Sequence, residues 1–355
     1  MPAHANVAAA NPVDLVFEGG GVKGIGLVGA VSVLEERGFV PQNMAGTSAG
    51  AIAATLLGAG YTADELRELI LGLDFRGFQD TAWEDEVPML GVPLSILKDK
   101  GLYEGRTFLA WMRDRLAAKG VRTFGDLVHP DFADEPRYRY RAQVIASDLT
   151  ARRLLVLPQD ATLFGIEPDN LDVALAVRMS ASVPFYFEPV LVSNAQTGQE
   201  HIIVDGGVLS NFPVWLFDVD DEPAWPTFGL LLVEPDPGTP LGQRLPNRGP
   251  TDGRVGGLVD YVRSLIGTML EAHDRLYVEK ASFARTIPIP TLGVATTEFG
   301  LGARRAESLY SAGRLAAEEF LDGWDFDGYV AEFRRGKQHS RRAEVAAAMR
   351  LTSVR

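Results

Sequence analysis

The sequence predicts a layered α/β fold, on three observations. Short apolar runs such as 13–17 and 227–233 read as strands. The early runs end in glycines and other small residues, then pass into stretches with helical apolar spacing. This alternation continues along the chain without an internal repeat, which fits helices layered on a sheet and neither a bundle nor a sandwich.

The elements follow in order. Residues 1–12 are Ala-rich, carry no Lys or Arg and have no long apolar core. They read as a flexible arm and not as a secretory signal. The 13–17 run ends at Glu18 and three glycines, after which Ile25, Val28, Val31 and Leu34 give helical spacing and Gly38 a helix stop. A second unit follows at once: Met44 and Ala45 as an apolar run, Gly46-Thr47-Ser48-Ala49-Gly50 as a turn, and 51–57 as an Ala-rich helix. Thr62 starts a further helix over 63–73. Between 75 and 97, residues such as Phe75, Trp83 and Leu97 lie among Gly, Pro and acids with weak periodicity. That stretch is either a cap presenting apolar groups or an irregular segment packed on the core.

A helix is expected over 108–118, and two strands over 138–156 flanking Ser147-Asp148-Leu149-Thr150. A helix over 171–179 ends in Ser180-Ala181-Ser182-Val183-Pro184, and a strand over 201–204 runs into Asp205-Gly206-Gly207. The 227–233 run reads as a central strand. The Pro/Gly-rich 235–257 stretch is the expected flexible loop. Amphipathic helices follow over 258–277 and 303–321. The last segment, 334–355, is a basic tail, read either as a surface or membrane-touching tail or as a solvated terminal helix or disordered end. The expected organisation is therefore an arm (1–12), one domain (13–333) and a tail (334–355).

Composition removes several function classes. A formal net charge of -13 argues against a nucleic-acid partner and against electrostatic docking to anionic membranes. Any lipid contact then rests on apolar surface. The absence of cysteine excludes disulfides, thiolate nucleophiles and Cys-ligated zinc. No stretch reaches the roughly 18–20 apolar residues of a membrane span. With no secretory signal read, the expected location is the cytoplasm, with leaderless secretion as the other possibility.

Ser48 carries the chemistry. A serine between glycines at a strand-to-helix turn is a nucleophile elbow, and small flanking residues allow the sharp turn that lifts Oγ from the sheet. Gly19, Gly20 and Gly21 with Val22, Lys23 and Gly24 form a loop that exposes backbone N–H groups at a helix N-terminus. Gly19, Gly21 and Gly24 also fit a dinucleotide loop, but that fingerprint needs an acid at the end of the second strand, where this chain has the Ser48 turn. The Gly-Lys-Ser/Thr ending of a P-loop is missing. Asp205 is delivered by the apolar run Ile202-Ile203-Val204, and Gly206 and Gly207 let the chain turn around its carboxylate. Alone, Asp-Gly-Gly is an ordinary turn. Of the five histidines, His4, His129, His201, His273 and His339, none has a convincing catalytic setting, His273 being the best placed.

These three segments together resemble the signatures of patatin-like phospholipases: Glu18 to Gly24, Gly46 to Gly50, and Asp205 to Gly207. Asp148, the Ser180–Pro184 segment, Asn211 and Pro213 add to the likeness, which covers about 13–217. The resemblance implies a three-layer α/β/α fold with a central, largely parallel sheet. It implies a Ser48–Asp205 dyad without histidine, an oxyanion hole from Gly20 and Gly21 with Gly19, and supporting roles for Lys23, Gly24, Gly46, Gly50, Gly206 and Gly207. It also implies an acyl-serine route to ester hydrolysis of a lipid substrate; no cofactor and no metal site is expected. Glu18 and Lys23 depart mildly from the family's more frequent residues. Lys23 is expected either to attract a lipid phosphate or to be solvated. Two other readings are a Ser-His-Asp esterase using His273 and a lipid-binding protein that has lost turnover.

Overall fold

In the computed structural model of this chain, residues 11–72, 102–184, 187–234, 280–296, 298 and 300–336 are described. Strand β1 (Asn11–Phe17) passes through the glycine turn into helix α1 (Gly24–Glu36). Strand β2 (Phe39–Thr47) hands over at Ser48 to helix α2 (Ala49–Gly58). Helix α3 (Ala63–Leu71) starts on a capping box: Thr62 Oγ1 accepts from the Glu65 N–H, and Glu65 Oε2 accepts from the Thr62 N–H. Then come α4 (Leu102–Ala118), the antiparallel pair β3 (Ala142–Asp148) and β4 (Arg153–Leu157), and α5 (Val173–Ser180). The chain continues as β5 (Val190–Ser193), β6 (Glu200–Asp205), β7 (Thr227–Val233), α6 (Lys280–Ala284), β8 (Thr286–Pro290), α7 (Ala303–Asp322) and α8 (Phe326–Phe333).

The strands form one sheet whose hydrogen-bonded neighbours run β5-β6-β3-β2-β1-β7-β8, with β4 also paired to β3. The pairs from β3 through β8 are parallel; β5, β6 and β4 add the antiparallel part. This is the predicted α/β class, a mostly parallel central sheet flanked by helices. Alternate residues of each central strand feed two cores. Leu15, Phe17, Val144 and Leu230 pack under the helices. Val16, Ala45, Ile145 and Leu231 pack against the 212–217 segment, with Phe212, Trp215 and Phe217.

Helix α1 is held close to α7 because both lack side chains where they cross. A Cβ on Gly313 would lie 1.9 Å from the Gly26 carbonyl oxygen, and one on Gly29 would lie 2.0 Å from that of Tyr310. The α1 helix, which begins at the glycine turn, is thereby fixed between sheet and α7.

Some elements differ from expectation. β1 starts at Asn11, so the last two residues of the expected arm are strand. β2 extends back to Phe39 through Pro41, Gln42 and Asn43, a proline and two polar residues that masked it. The 171–179 helix starts at Val173, because Asp172 caps it by accepting from the Leu175 N–H at 2.8 Å. The expectations for 75–97, for the 235–257 loop, for the 258–277 helix and for the tail beyond 336 lie outside the described residues.

Candidate active site

Ser48 stands at φ 53° and ψ −120°, outside both strand and helix geometry. A non-glycine residue holds such a conformation only where its surroundings enforce it. Here the two flanking glycines do so. A Cβ on Gly46 would meet the Gly50 carbonyl oxygen at 2.2 Å, and one on Gly50 would meet that of Phe17 at 2.5 Å. The turn is therefore closed against the β1 backbone, and only glycine fits at either position.

Sheet topology brings Asp205 to this turn. β2 runs along one edge of β3 as far as the pair Thr47 and Ile145. β4 occupies the other edge of β3, over Val144 to Asp148. β6 must therefore lie on the same edge as β2, and it takes over at the next rung, where Asp205 pairs with Ala146. The two strands meet head to head. Ser48 follows the last residue of one, and Asp205 is the last residue of the other. Two short side chains thus come together without a long reach.

The Asp205 carboxyl is 1% exposed. Its Oδ1 accepts from the Gly207 N–H at 2.8 Å, and its own N–H donates to the Ser182 carbonyl at 2.9 Å. Burial raises its pKa to about 7, against a smaller opposing pull from the Gly207 N–H and the Ser48 hydroxyl. Oδ2 makes no hydrogen bond of full geometry among the described residues. The Ser48 hydroxyl is thus near enough to pull the Asp205 pKa down without a hydrogen bond of full geometry to Oδ2. Gly206 is required behind the carboxylate, since a Cβ there would lie 2.3 Å from the Ile145 carbonyl oxygen.

The glycine loop divides in two. The Gly19 N–H is committed to the Asn211 carbonyl at 3.1 Å, so the expected contribution of Gly19 to an oxyanion hole is corrected: it has no N–H to give. The Val22 N–H donates to the Thr296 carbonyl and the Lys23 N–H to that of Gly20. The Gly20 and Gly21 N–H groups donate to nothing among the described residues. Gly21 has φ +54° and stands where a Cβ would be 2.1 Å from the Thr296 oxygen, so the loop needs glycine there. Gly24 lies against the first residue of α2, with its Cβ position 3.3 Å from the Ala49 Cβ. Lys23 is buried, not solvated as its sequence setting allowed.

Two residues that sequence reasoning left without a role anchor this loop. Buried Glu18 accepts from the Leu232 N–H through Oε2 (2.6 Å) and from Asn211 Nδ2 through Oε1 (3.1 Å). Asn211 Nδ2 also donates to the Gly19 carbonyl at 3.1 Å. A carboxylate directly before a glycine run, with an Asn six residues after Asp205, was the available signal.

The two described histidines, His129 and His201, have other partners. His201 Nδ1 is 2.7 Å from Asp148 Oδ2, both buried, and its ring packs edge-on against Phe164. It precedes Asp205 by four strand residues, about 13 Å of extended chain. Asp148 is thus paired with His201. His129 Nδ1 accepts from the Asp131 N–H. His4, His273 and His339 lie outside the described residues. Among the described residues no cluster of three or more His, Asp or Glu is arranged to hold a metal, and no helix is long and apolar enough to cross a membrane.

Comparison with known proteins bears on this geometry. The family model for patatin-like phospholipase matches residues 15–218, the stretch that holds Ser48, Asp205 and the glycine loop. A relative from Bacillus subtilis (strain 168), the uncharacterized protein YqhO, is 38% identical over 314 residues, covering 88% of this chain and 99% of its own. An uncharacterized protein of Acanthamoeba polyphaga mimivirus, R571, is 27% identical over 307 residues, covering 84% of this chain and 90% of its own. Among solved structures, VipD from Legionella pneumophila superposes with a TM-score of 0.51 at 18% identity, over 88% of this chain and 67% of VipD, a likeness of fold.

Proposed function

This chain belongs to the patatin-like phospholipase family, and we propose that it hydrolyses carboxylic esters of phospholipids or related lipids, with Ser48 as nucleophile and Asp205 as base. The observation that carries the reading is the head-to-head meeting of β2 and β6, which sets the Ser48 elbow against a buried carboxylate raised to about 7. A carboxylate of ordinary pKa near 3.9 is a poor base, and one near 7 is matched to neutral pH.

In the proposed reaction Ser48 Oγ attacks the ester carbonyl carbon while Asp205 Oδ2 takes the hydroxyl proton. The carbonyl oxygen becomes an oxyanion and is met by the N–H groups of Gly20 and Gly21; losing one such donor in other enzymes costs roughly 100–1000-fold. The intermediate collapses to acyl-Ser48, and the Asp205 carboxylic acid returns its proton to the leaving alkoxide. Water, deprotonated by Asp205, then attacks the acyl carbon, releases the fatty acid and restores the serine. The phospholipase A or lysophospholipase type is the finer form of this proposal. The acidic chain is taken to meet lipid aggregates through apolar surface.

A fluorophosphonate probe tests it. Wild type should be labelled on Ser48, and Ser48→Ala and Asp205→Asn should not. Incubation with phospholipids, lysophospholipids and triacylglycerols, with products weighed by mass spectrometry, should yield free fatty acid from wild type alone. Labelling of Ser48→Ala at the wild-type rate would reject the nucleophile. Failure to label folded wild type would favour a non-catalytic lipid binder.

A further inference from the structure

Ser180 and the loop that follows it tie both members of the dyad to one support. The Ser180 side chain is fully buried at the end of α5. Its Oγ accepts from the Ser48 N–H at 2.8 Å and donates to the Ile145 carbonyl at 2.5 Å. The proton assignment is forced, because a carbonyl only accepts and an N–H only donates. Ile145 is the β3 residue paired with Thr47. In a continuing parallel ladder, a β2 N–H would donate to a β3 carbonyl at this position. The elbow forfeits that rung, and the Ser180 hydroxyl spans the gap. Two residues later, the Ser182 carbonyl accepts the Asp205 N–H at 2.9 Å. Ser182 is itself fixed: its Oγ donates to the Arg178 carbonyl at 2.7 Å and accepts from the Arg178 guanidinium, which also donates to the Glu188 carbonyl.

We propose that the Ser180–Ser182 segment is the template that sets the Ser48–Asp205 register, and that Ser180 is a positioning residue for the nucleophile. The proposal rests on the dyad reading above. Its hydroxyl touches no reacting atom. It holds the Ser48 main chain in the one conformation that aims Oγ at Asp205, and the same segment holds the Asp205 main chain two residues away.

The test uses Ser180→Ala, Ser180→Cys and Ser180→Thr in the full chain. Four quantities are measured: kcat and KM on a soluble short-chain ester, the rate of fluorophosphonate labelling, and amide hydrogen exchange at Ser48. Loss of a buried hydrogen-bond partner predicts that Ser180→Ala lowers kcat and labelling roughly 10–100-fold, leaves KM within about twofold, and speeds Ser48 exchange at least about tenfold. Ser180→Cys fills the space but accepts poorly, so it should resemble Ala. Ser180→Thr keeps the hydroxyl and should recover most of the rate. A Ser180→Ala enzyme with wild-type kcat and unchanged Ser48 exchange overturns the proposal. So does a Thr variant no better than Ala at an unchanged melting temperature. If one variant fails to fold, exchange at Ser48 in the others still decides. If Ser48→Ala or Asp205→Asn keeps full activity, the dyad reading fails instead, and Ser48 exchange continues to report on the clamp alone.

Discussion

Replacing Asp205 by Asn should make the protein more stable at alkaline pH while abolishing acyl transfer. The carboxyl is buried, and burial lifts its pKa from 3.8 to about 7. The folded state therefore holds this proton more tightly than the unfolded chain does. The sign follows from proton binding. Between pH 4 and 7 the native protein is protonated at Asp205 and the unfolded chain is not, so stability falls as pH rises through that window. A shift of about three units at 1.36 kcal/mol each removes about 4 kcal/mol by pH 8. Asn has no proton to lose, and its Oδ1 still accepts from the Gly207 N–H. The stability gap between Asp205→Asn and wild type should therefore widen, in favour of Asn, by about 2–3 kcal/mol between pH 5 and pH 8. Asp14, raised to about 8 by its own burial, titrates in both proteins and cancels in this comparison. Urea unfolding of both proteins at the two pH values, followed by tryptophan fluorescence, measures the gap. A gap that does not change with pH would show that the native carboxyl titrates as it does in the unfolded chain, and the account of its basicity would be wrong.

Three further predictions follow from the same geometry. The labelling rate and kcat/KM should rise about tenfold per pH unit on the acid side and level off near pH 7, because the base must be ionised; a plateau reached by pH 5 would contradict this. His201→Gln should leave the fluorophosphonate rate within about threefold of wild type while lowering the melting temperature, since it disturbs the buried pair with Asp148 and not the dyad; loss of labelling in the folded variant would point to a histidine base. Gly313→Ala should cost about 1–3 kcal/mol in urea unfolding, because the added carbon meets the Gly26 carbonyl oxygen at 1.9 Å and a backbone atom cannot rotate away; kcat per folded molecule should be unchanged.

The motifs were legible in the sequence because each needs residues that backbone sterics dictate. Gly46, Gly50 and Gly206 all stand where a Cβ would collide with main chain, so their identity advertises the close approach. Strand β7, apolar after Thr227, announced itself, and so did the helix start at Thr62. What stayed hidden was set by partners far along the chain. β8, Thr-Ile-Pro-Ile-Pro, is not among the expected strands; it pairs with β7 despite its two prolines. The Gly19 N–H looks as available as its neighbours until Asn211 claims it. Nor could spacing alone pair Asp148 with His201, which lie 53 residues apart. The family likeness named the dyad from these motifs. Their order alone did not say that β6 takes over the edge of β3 one rung beyond Thr47.

In the proposed reaction, that rung is what lets a carboxylate serve as the base. An aspartate reaches only a few ångströms from its backbone, so it meets a serine hydroxyl only where two main chains converge. The head-to-head ending of β2 and β6 supplies the convergence, and the segments crowded around it, Ser180–Ser182 and the glycine turn after Asp205, leave the carboxylate almost no solvent. Proximity and basicity thus have one cause. Opening the junction enough to hydrate Asp205 would return its pKa toward 4 and weaken the base, even with the serine in place. Closing it keeps an ionised carboxylate buried at a cost to folding. The rest of the fold offsets that cost, and Ser48 adds a second through its positive φ. Ser48 and Asp205 sit at the ends of β2 and β6, in a sheet packed against two apolar cores, where the surrounding structure can hold them.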